Sequence, residues 1–170
     1  MDRPKTAEYA PFYAGYVSQV PENDILDVLS RQPHEIGELL DSVAEERGLY
    51  AYAEGKWTIN ELIAHINDTE RVFGYRAFRI AHGDATPLPS FDQDFFVANG
   101  RANERAIADL VGEFRAIREA NLLVLARLND HEWMRMGMAS DAAVSVRAVA
   151  YIMAGHFRHH LAILRHRYLA

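Results

Sequence analysis

The sequence predicts an all-α fold, a four-helix bundle, and three observations carry that expectation. Apolar residues recur at helical spacing in four long stretches, and Gly and Pro fall mostly between them. No run alternates apolar and polar residues long enough for a substantial sheet. At 170 residues the chain is expected to be one domain, 1–170, with residues 1–23 as an arm laid on the bundle. Hydrophobic residues at 49% and charged residues at 25% are the ordinary balance of a globular core and surface.

Pro4, Pro11 and Pro21 punctuate the arm, while Tyr9, Phe12, Tyr13 and Tyr16 are too much aromatic surface to leave in water. Asn23 or Asp24 caps a first helix in which Ile25, Leu26, Leu29, Ile36, Leu39, Leu40 and Val43 keep helical spacing. Pro33 lies inside it and is expected to kink or split it. After a connector from Gly48 to Gly55, Thr58 and Glu61 form a capping box that opens the second helix. That helix runs through Leu62, Ile63, Ile66, Val72, Phe73 and Phe78 to Ile80 and stops near Gly83. Asp84 to Gly100 holds Pro87, Pro89 and Gly100 without a sustained period and reads as a loop. The third helix is expected from about Asn103 to Leu128, with Ile107, Leu110, Val111, Phe114, Ile117, Leu122 and Leu125 as its core stripe. A connector follows, with a short extended piece around Trp133–Met138, and the fourth helix runs from about Val144 to Tyr168.

The long loop bears on topology. A helix of about 25 residues is roughly 37 Å long, and 17 loop residues reach about 55 Å when extended. The crossover therefore spans the bundle, which permits helices two and three to run parallel in an up-down-down-up order. Helices two and four are then antiparallel.

Composition removes several function classes. A net charge of −6, with no Lys/Arg patch, argues against a nucleic-acid backbone as partner. Lys5 and Lys56 are the only lysines. There is no Cys, so any metal site must be built from His and carboxylates. No stretch has the length of a membrane span, and the N-terminus lacks a signal-peptide apolar run, so a cytoplasmic protein is expected.

The most informative pair is His156 and His160, one helical turn apart on one face. Two ligands make a weak site, and catalytic zinc usually has three. His65 lies seven residues after Thr58, or about 10 Å along its helix, and His160 lies eight residues before Tyr168, or about 12 Å from that end. With helices two and four antiparallel these heights coincide, whereas a simple alternating bundle separates them by one or two turns. His159 is an alternative to His160. His160 is preferred because Ile152, Met153, His156, His160 and Ile163 form one stripe. His34, His82, His131 and His166 have no partner at ligand spacing and are expected to face solvent. Asp68 and Thr69, three and four residues after His65, are candidates to orient a ligand, with Asp68 as a candidate catalytic base; a solvated carboxylate is its alternative reading. Arg71 and Arg158 are expected in surface ion pairs, and Trp57 as a core anchor before its helix.

Competing templates are missing: no Glu-x-x-His, no His-Glu-x-x-His, no Gly-x-Ser-x-Gly elbow and no phosphate-binding glycine loop. The segment from Gly55-Lys56-Trp57-Thr58 through His65 to Arg71, together with His156-Phe157-Arg158-His159-His160, resembles the DinB-like (YfiT-like) superfamily of small metal-binding four-helix bundles. Similarity extends from about residue 20 to the end. The resemblance implies the same up-down-down-up bundle, with His65, His156 and His160 as metal ligands and one divalent ion, zinc, nickel or iron. It also implies a homodimer, and either a metal-dependent hydrolase or a transferase acting with low-molecular-weight thiols. A three-imidazole site serves both chemistries, by lowering the pKa of a bound water or of a bound thiol. A non-catalytic metal-binding or stress-response interaction bundle stands as the alternative class.

Overall fold

Each long helix begins where a side-chain oxygen takes up an amide that the first turn leaves free. The computed structural model describes residues 2–170. Asp24 accepts from Asp27 N at the start of α2 (Ile25–Leu40), and Thr58 and Glu61 cap each other reciprocally at the start of α3 (Ile59–Ala81). Ser145 accepts from Ala148 N at the start of α7 (Val146–Ile163). The start of α5 (Ile107–Leu125) has no local cap. Glu45, from a 3-10 turn at Glu45–Leu49, takes its first amide instead, with Ile107 N donating at 2.7 Å.

Cross-links fix the helix directions. Between α3 and α5, Asn60 donates to Arg105 O, Asn67 to Leu110 O, and Glu70 meets Arg118, so positions rise together and the helices are parallel. Between α3 and α7, Tyr168 Oη donates to Trp57 O while His65 faces His156, so they are antiparallel. Arg118 reaches Leu29 O as Ile107 N reaches Glu45, making α2 and α5 antiparallel. Tyr151 reaches Glu22 O and Gln32 reaches Ala154 O, making α2 and α7 parallel. The order is up-down-down-up, as the sequence predicts.

The arm meets α7 through α1 (Ala14–Ser18). Gly155 makes this approach possible, since a Cβ there would collide with the Tyr16 carbonyl oxygen. Glu8 is buried against Arg147 and Ser145, which ties the arm to the start of α7.

Several details differ from the sequence-based expectation. The expected loop holds a short helix, α4 (Gln93–Asn99), set by Asp92 accepting from Asp94 N and Phe95 N; seven residues are too few to reveal a period. The third helix starts at Ile107, because Arg101 adopts φ 54° and Ala102–Glu104 closes a separate 3-10 turn. After a four-residue helix, α6 (Asp130–Trp133), the extended piece is one arm of a hairpin, β1 (Met136–Ala139) with β2 (Ala142–Ser145), turning on Ser140 and Asp141 at φ 52° and 59°. Positive φ at both central residues is the tight-turn geometry that matches strand twist. The fourth helix ends at Ile163 and widens into a π-turn over Leu164–Tyr168. Among the described residues no helix is long and apolar enough to cross a membrane.

Pro33 neither splits α2 nor leaves a bare carbonyl. Lacking an N–H, it frees Leu29 O, and Arg118 Nη1 donates to that oxygen at 3.0 Å. Arg118 is 0% exposed, pairs in two-pronged fashion with Glu70 at 2.7 and 2.8 Å, and donates to Gln32 Oε1. Gln32 in turn donates to Ala154 O. The core is thus two apolar clusters, one around Leu29, Phe73 and Tyr151 and one around Ile36, Phe114 and Phe157, with a polar layer between them. His156 lies at the same level on α7.

Removing one partner of a buried pair leaves the other charge uncompensated, a loss of about 3–5 kcal/mol. Arg118→Ala is expected to lower unfolding free energy in denaturant titrations by about that amount. The double variant Arg118→Met/Glu70→Met is expected to recover much of it. A single-variant loss below about 1 kcal/mol, the range of surface pairs, would contradict this role. Gly155→Ala is expected to destabilise despite alanine's helix preference of about 1 kcal/mol, and to expose the arm to limited proteolysis.

Candidate metal site

His65 sits two turns into α3, on the face turned to α7, and His156 and His160 stand one turn apart on the facing side of α7. Their candidate ligand nitrogens all lie within 4.8 Å of one another. His65 Nε2 and His156 Nε2 face each other at 3.0 Å, and the His156 and His160 ring centres are 4.4 Å apart. All three side chains are buried. The helix heights counted along the sequence therefore coincide in space.

Burial sets their charge state. It pushes His65 down to about 4, with His159 adding to the effect. It pushes His160 down to about 2, with His65 and His159 contributing. His156 is held well below the ordinary imidazole value by burial first and then by His160 and His65. Three neutral rings at neutral pH present lone pairs, the form that binds metal.

The residues fit a divalent ion. Two Nε2 atoms each about 2.0–2.1 Å from one ion stand roughly 3 Å apart or slightly more, which is the spacing seen. His160 Nδ1 is buried without a hydrogen-bond partner. Among the described residues no carboxylate joins the cluster, so the donor set is three neutral nitrogens, suited to zinc, nickel or iron.

His159 stays outside the set. It is half-buried, with its ring 5.5 Å from Tyr16 and 4.9 Å from His160. Asp68 is not brought to the imidazoles either. Three residues after His65 the helix carries Asp68 about 60° round toward α5, and the charges around Asp68 are Arg71, Glu113 and Arg105. Burial raises its pKa, Arg71 opposes the rise, and the carboxylate belongs to the α3–α5 groove. Arg71 pairs with Glu113, and Arg158 pairs with Glu22 and donates to Gln19 O. His34, His82, His131 and His166 are exposed, as expected.

A pocket of about 270 Å³ opens at His160, walled by Tyr52, Trp57 and Tyr168, with Lys56 and Asp94 also lining it. Trp57 is more than a core anchor: it is half-buried, and its ring lies 4.8 Å from that of His65. On the other side Tyr16 of α1 stands edge-on to His156 at 5.4 Å. Asp94, Tyr52 and Tyr16 escape sequence reasoning. Asp94 rides on the helix hidden in the crossover, Tyr52 lies in the connector before α3, and Tyr16 is one of four aromatics of the arm.

Known proteins share this architecture. The DinB superfamily model matches residues 29–164. The chain is 27% identical over 159 residues to "Putative metal-dependent hydrolase OB0413" of Oceanobacillus iheyensis, covering 86% of this chain and 89% of that protein. Its fold is similar to that of YfiT from Bacillus subtilis, described as "a probable metal-dependent hydrolase with an unusual four-helix bundle topology". The TM-score is 0.73 at 14% identity, over 91% of this chain and 89% of that one.

Neutral buried histidines make the metal-free protein acid-sensitive. Unfolded, His65 takes up its proton below its ordinary value of 6.5; folded, it resists until about 4. The unfolded state binds more protons in that window, so stability present above pH 6.5 falls as pH drops toward 4, by up to about 1.4 kcal/mol per pH unit for each such group. Chelator-treated protein should show this slope in urea midpoints, and His65→Leu should flatten it. An unchanged slope in the variant would refute the assignment.

Proposed function

The chain belongs to the DinB superfamily, and we propose that it is a metal-dependent hydrolase whose centre is one divalent ion held by His65, His156 and His160. One observation carries this reading: three buried, neutral imidazoles converge at an aromatic-walled pocket with no carboxylate among them. The Oceanobacillus iheyensis relative, described as a "Putative metal-dependent hydrolase", supports the same class, and YfiT shares the fold. Three neutral ligands leave the ion's charge uncompensated, and zinc or nickel is the best match to them. Such an ion, when bound, supplies Lewis-acid polarisation and lowers the pKa of a water or thiol that it takes.

The protein's own groups do the rest. His65, His156 and His160 fix the reacting centre on two rigid helices. Tyr52, Trp57 and Tyr168 bind the apolar part of a substrate and thin the water around it. Tyr168 is held in place by donating to Trp57 O, and burial pushes its phenol up to about 12, so it stays protonated and donating. Lys56 attracts a negative group on the substrate, and Asp94, not Asp68, is the carboxylate placed in this pocket to accept a proton.

Protein purified without added metal or chelator is expected to carry about one divalent ion per chain, and His65→Ala to lose most of it. Equal metal content in both proteins would end the proposal. Loaded protein is expected to hydrolyse simple esters or amides, with Asp94→Asn lowering kcat by about 10²-fold or more and Asp68→Asn leaving it nearly unchanged. Turnover confined to the transfer of small thiols would reassign the reaction while keeping the site. Metal without either turnover would favour the non-catalytic class.

A further inference from the structure

Two of the most deeply buried arginines have an acid beside them, Arg118 with Glu70 and Arg147 with Glu8. Arg76 does not. It is 3% exposed, yet among the described residues no carboxylate pairs with it. Its Nη2 donates to Pro89 O at 2.7 Å and to Ser140 Oγ at 2.8 Å, and its guanidinium carbon lies 5.6 Å from the Phe73 ring centre. Those bonds tether the crossover and the hairpin turn to α3. They leave Nε and Nη1 without a hydrogen-bond partner, and neither is among the polar atoms sealed inside the protein.

Arg76 lines a cleft of about 370 Å³ between α3 and the crossover. Its other walls are apolar, from Val72, Tyr75, Leu88 and Phe96, the last packed on Phe91 at 5.4 Å. Arg71 is the only other charged residue lining it. Arg71 is already met by Glu113, so among the described residues Arg76 is the cation of this cleft with no acid beside it, and an anion complements it. Against apolar walls a charge-assisted hydrogen bond from a guanidinium to an anion is stronger than at an open surface. The volume suits a small molecule, near the lower end of ligand pockets of about 300–1,000 Å³.

We propose that this cleft binds a small apolar carboxylate. One carboxylate oxygen accepts from Arg76 Nη1, and the alkyl or aryl body lies on Val72, Tyr75, Leu88 and Phe96. The site is separate from the imidazoles, since Arg76 follows His65 by 11 residues, about 16 Å along the helix. α4 divides the two pockets, with Asp94 in one and Phe96 in the other. Binding in this cleft needs no metal.

Calorimetric and NMR titration of the full chain with octanoate, 2-naphthoate and neutral octan-1-ol tests it. The carboxylates are expected to saturate at about millimolar concentration or below, at least about tenfold tighter than the alcohol. Arg76→Gln should weaken them by about tenfold or more. Val72→Glu, which places a like charge at the half-buried cleft wall, should abolish binding and decides the matter if Arg76→Gln fails to fold. His65→Ala should leave it unchanged. Equal affinity for octan-1-ol, no saturation by about 10 mM, survival in Val72→Glu, or loss in His65→Ala would overturn the proposal. So would a dimer dissociated by Val72→Glu with no carboxylate bound in either state, which would give the cleft to a second copy of this chain.

Discussion

Arg118 is completely enclosed, and everything around it is arranged so that its charge is met. Glu70 on α3 takes two of its donors, Gln32 on α2 takes another, and the carbonyl released by Pro33 shares that third nitrogen. Gln32 then reaches the fourth helix at Ala154 O. One guanidinium therefore sets the relative height of α2, α3 and α5 directly and of α7 through one amide. Apolar clusters above and below slide with little penalty, because hydrophobic contact is non-directional. A two-pronged ion pair in a dry interior does not slide. The imidazoles depend on that register, since His65 lies five residues before Glu70 and His156 two residues after Ala154.

The same dryness makes the histidines useful. In water an imidazole near neutral pH divides its time between a ligand and a cation. Buried, and close enough that one charge would repel the next, all three remain neutral over the whole physiological range. The positive charge of Arg118 adds to this at His156. Burial opposes protons and leaves room for an ion whose charge is shared among three nitrogens.

Much of this was legible in the sequence because α-helical rise is constant. Counting from Thr58 to His65 and from Tyr168 back to His160 placed the rings at one level, and the long crossover supplied the direction of each helix. What depended on rotation, as distinct from height, was less legible. Asp68 and Thr69 flank the same meridian as His65, yet Asp68 turns toward α5. Arg118 and Glu70 stand on different helices 48 residues apart, so no spacing pairs them, and Pro33 reads as a break because the group that satisfies Leu29 O lies 89 residues away. α4 and the hairpin are too short for a period, and the Ser140-Asp141 turn lacks the glycine that marks such turns. Gly155 gave no hint in sequence that it makes room for α1.

His65 and His156 are separated by 91 residues, and Glu8 and Arg147 by 139. During synthesis nothing in the first 145 residues can complete this cage, since two of its three nitrogens, on His156 and His160, have yet to be made. Contacts of such sequence separation carry a loop-closure cost before they return any stabilisation. The imidazole cluster and the arm beside it therefore both wait on α7, which packs against α3 and α1. Until α7 is in place His65 stands without either partner nitrogen, and only the folded chain brings the three together.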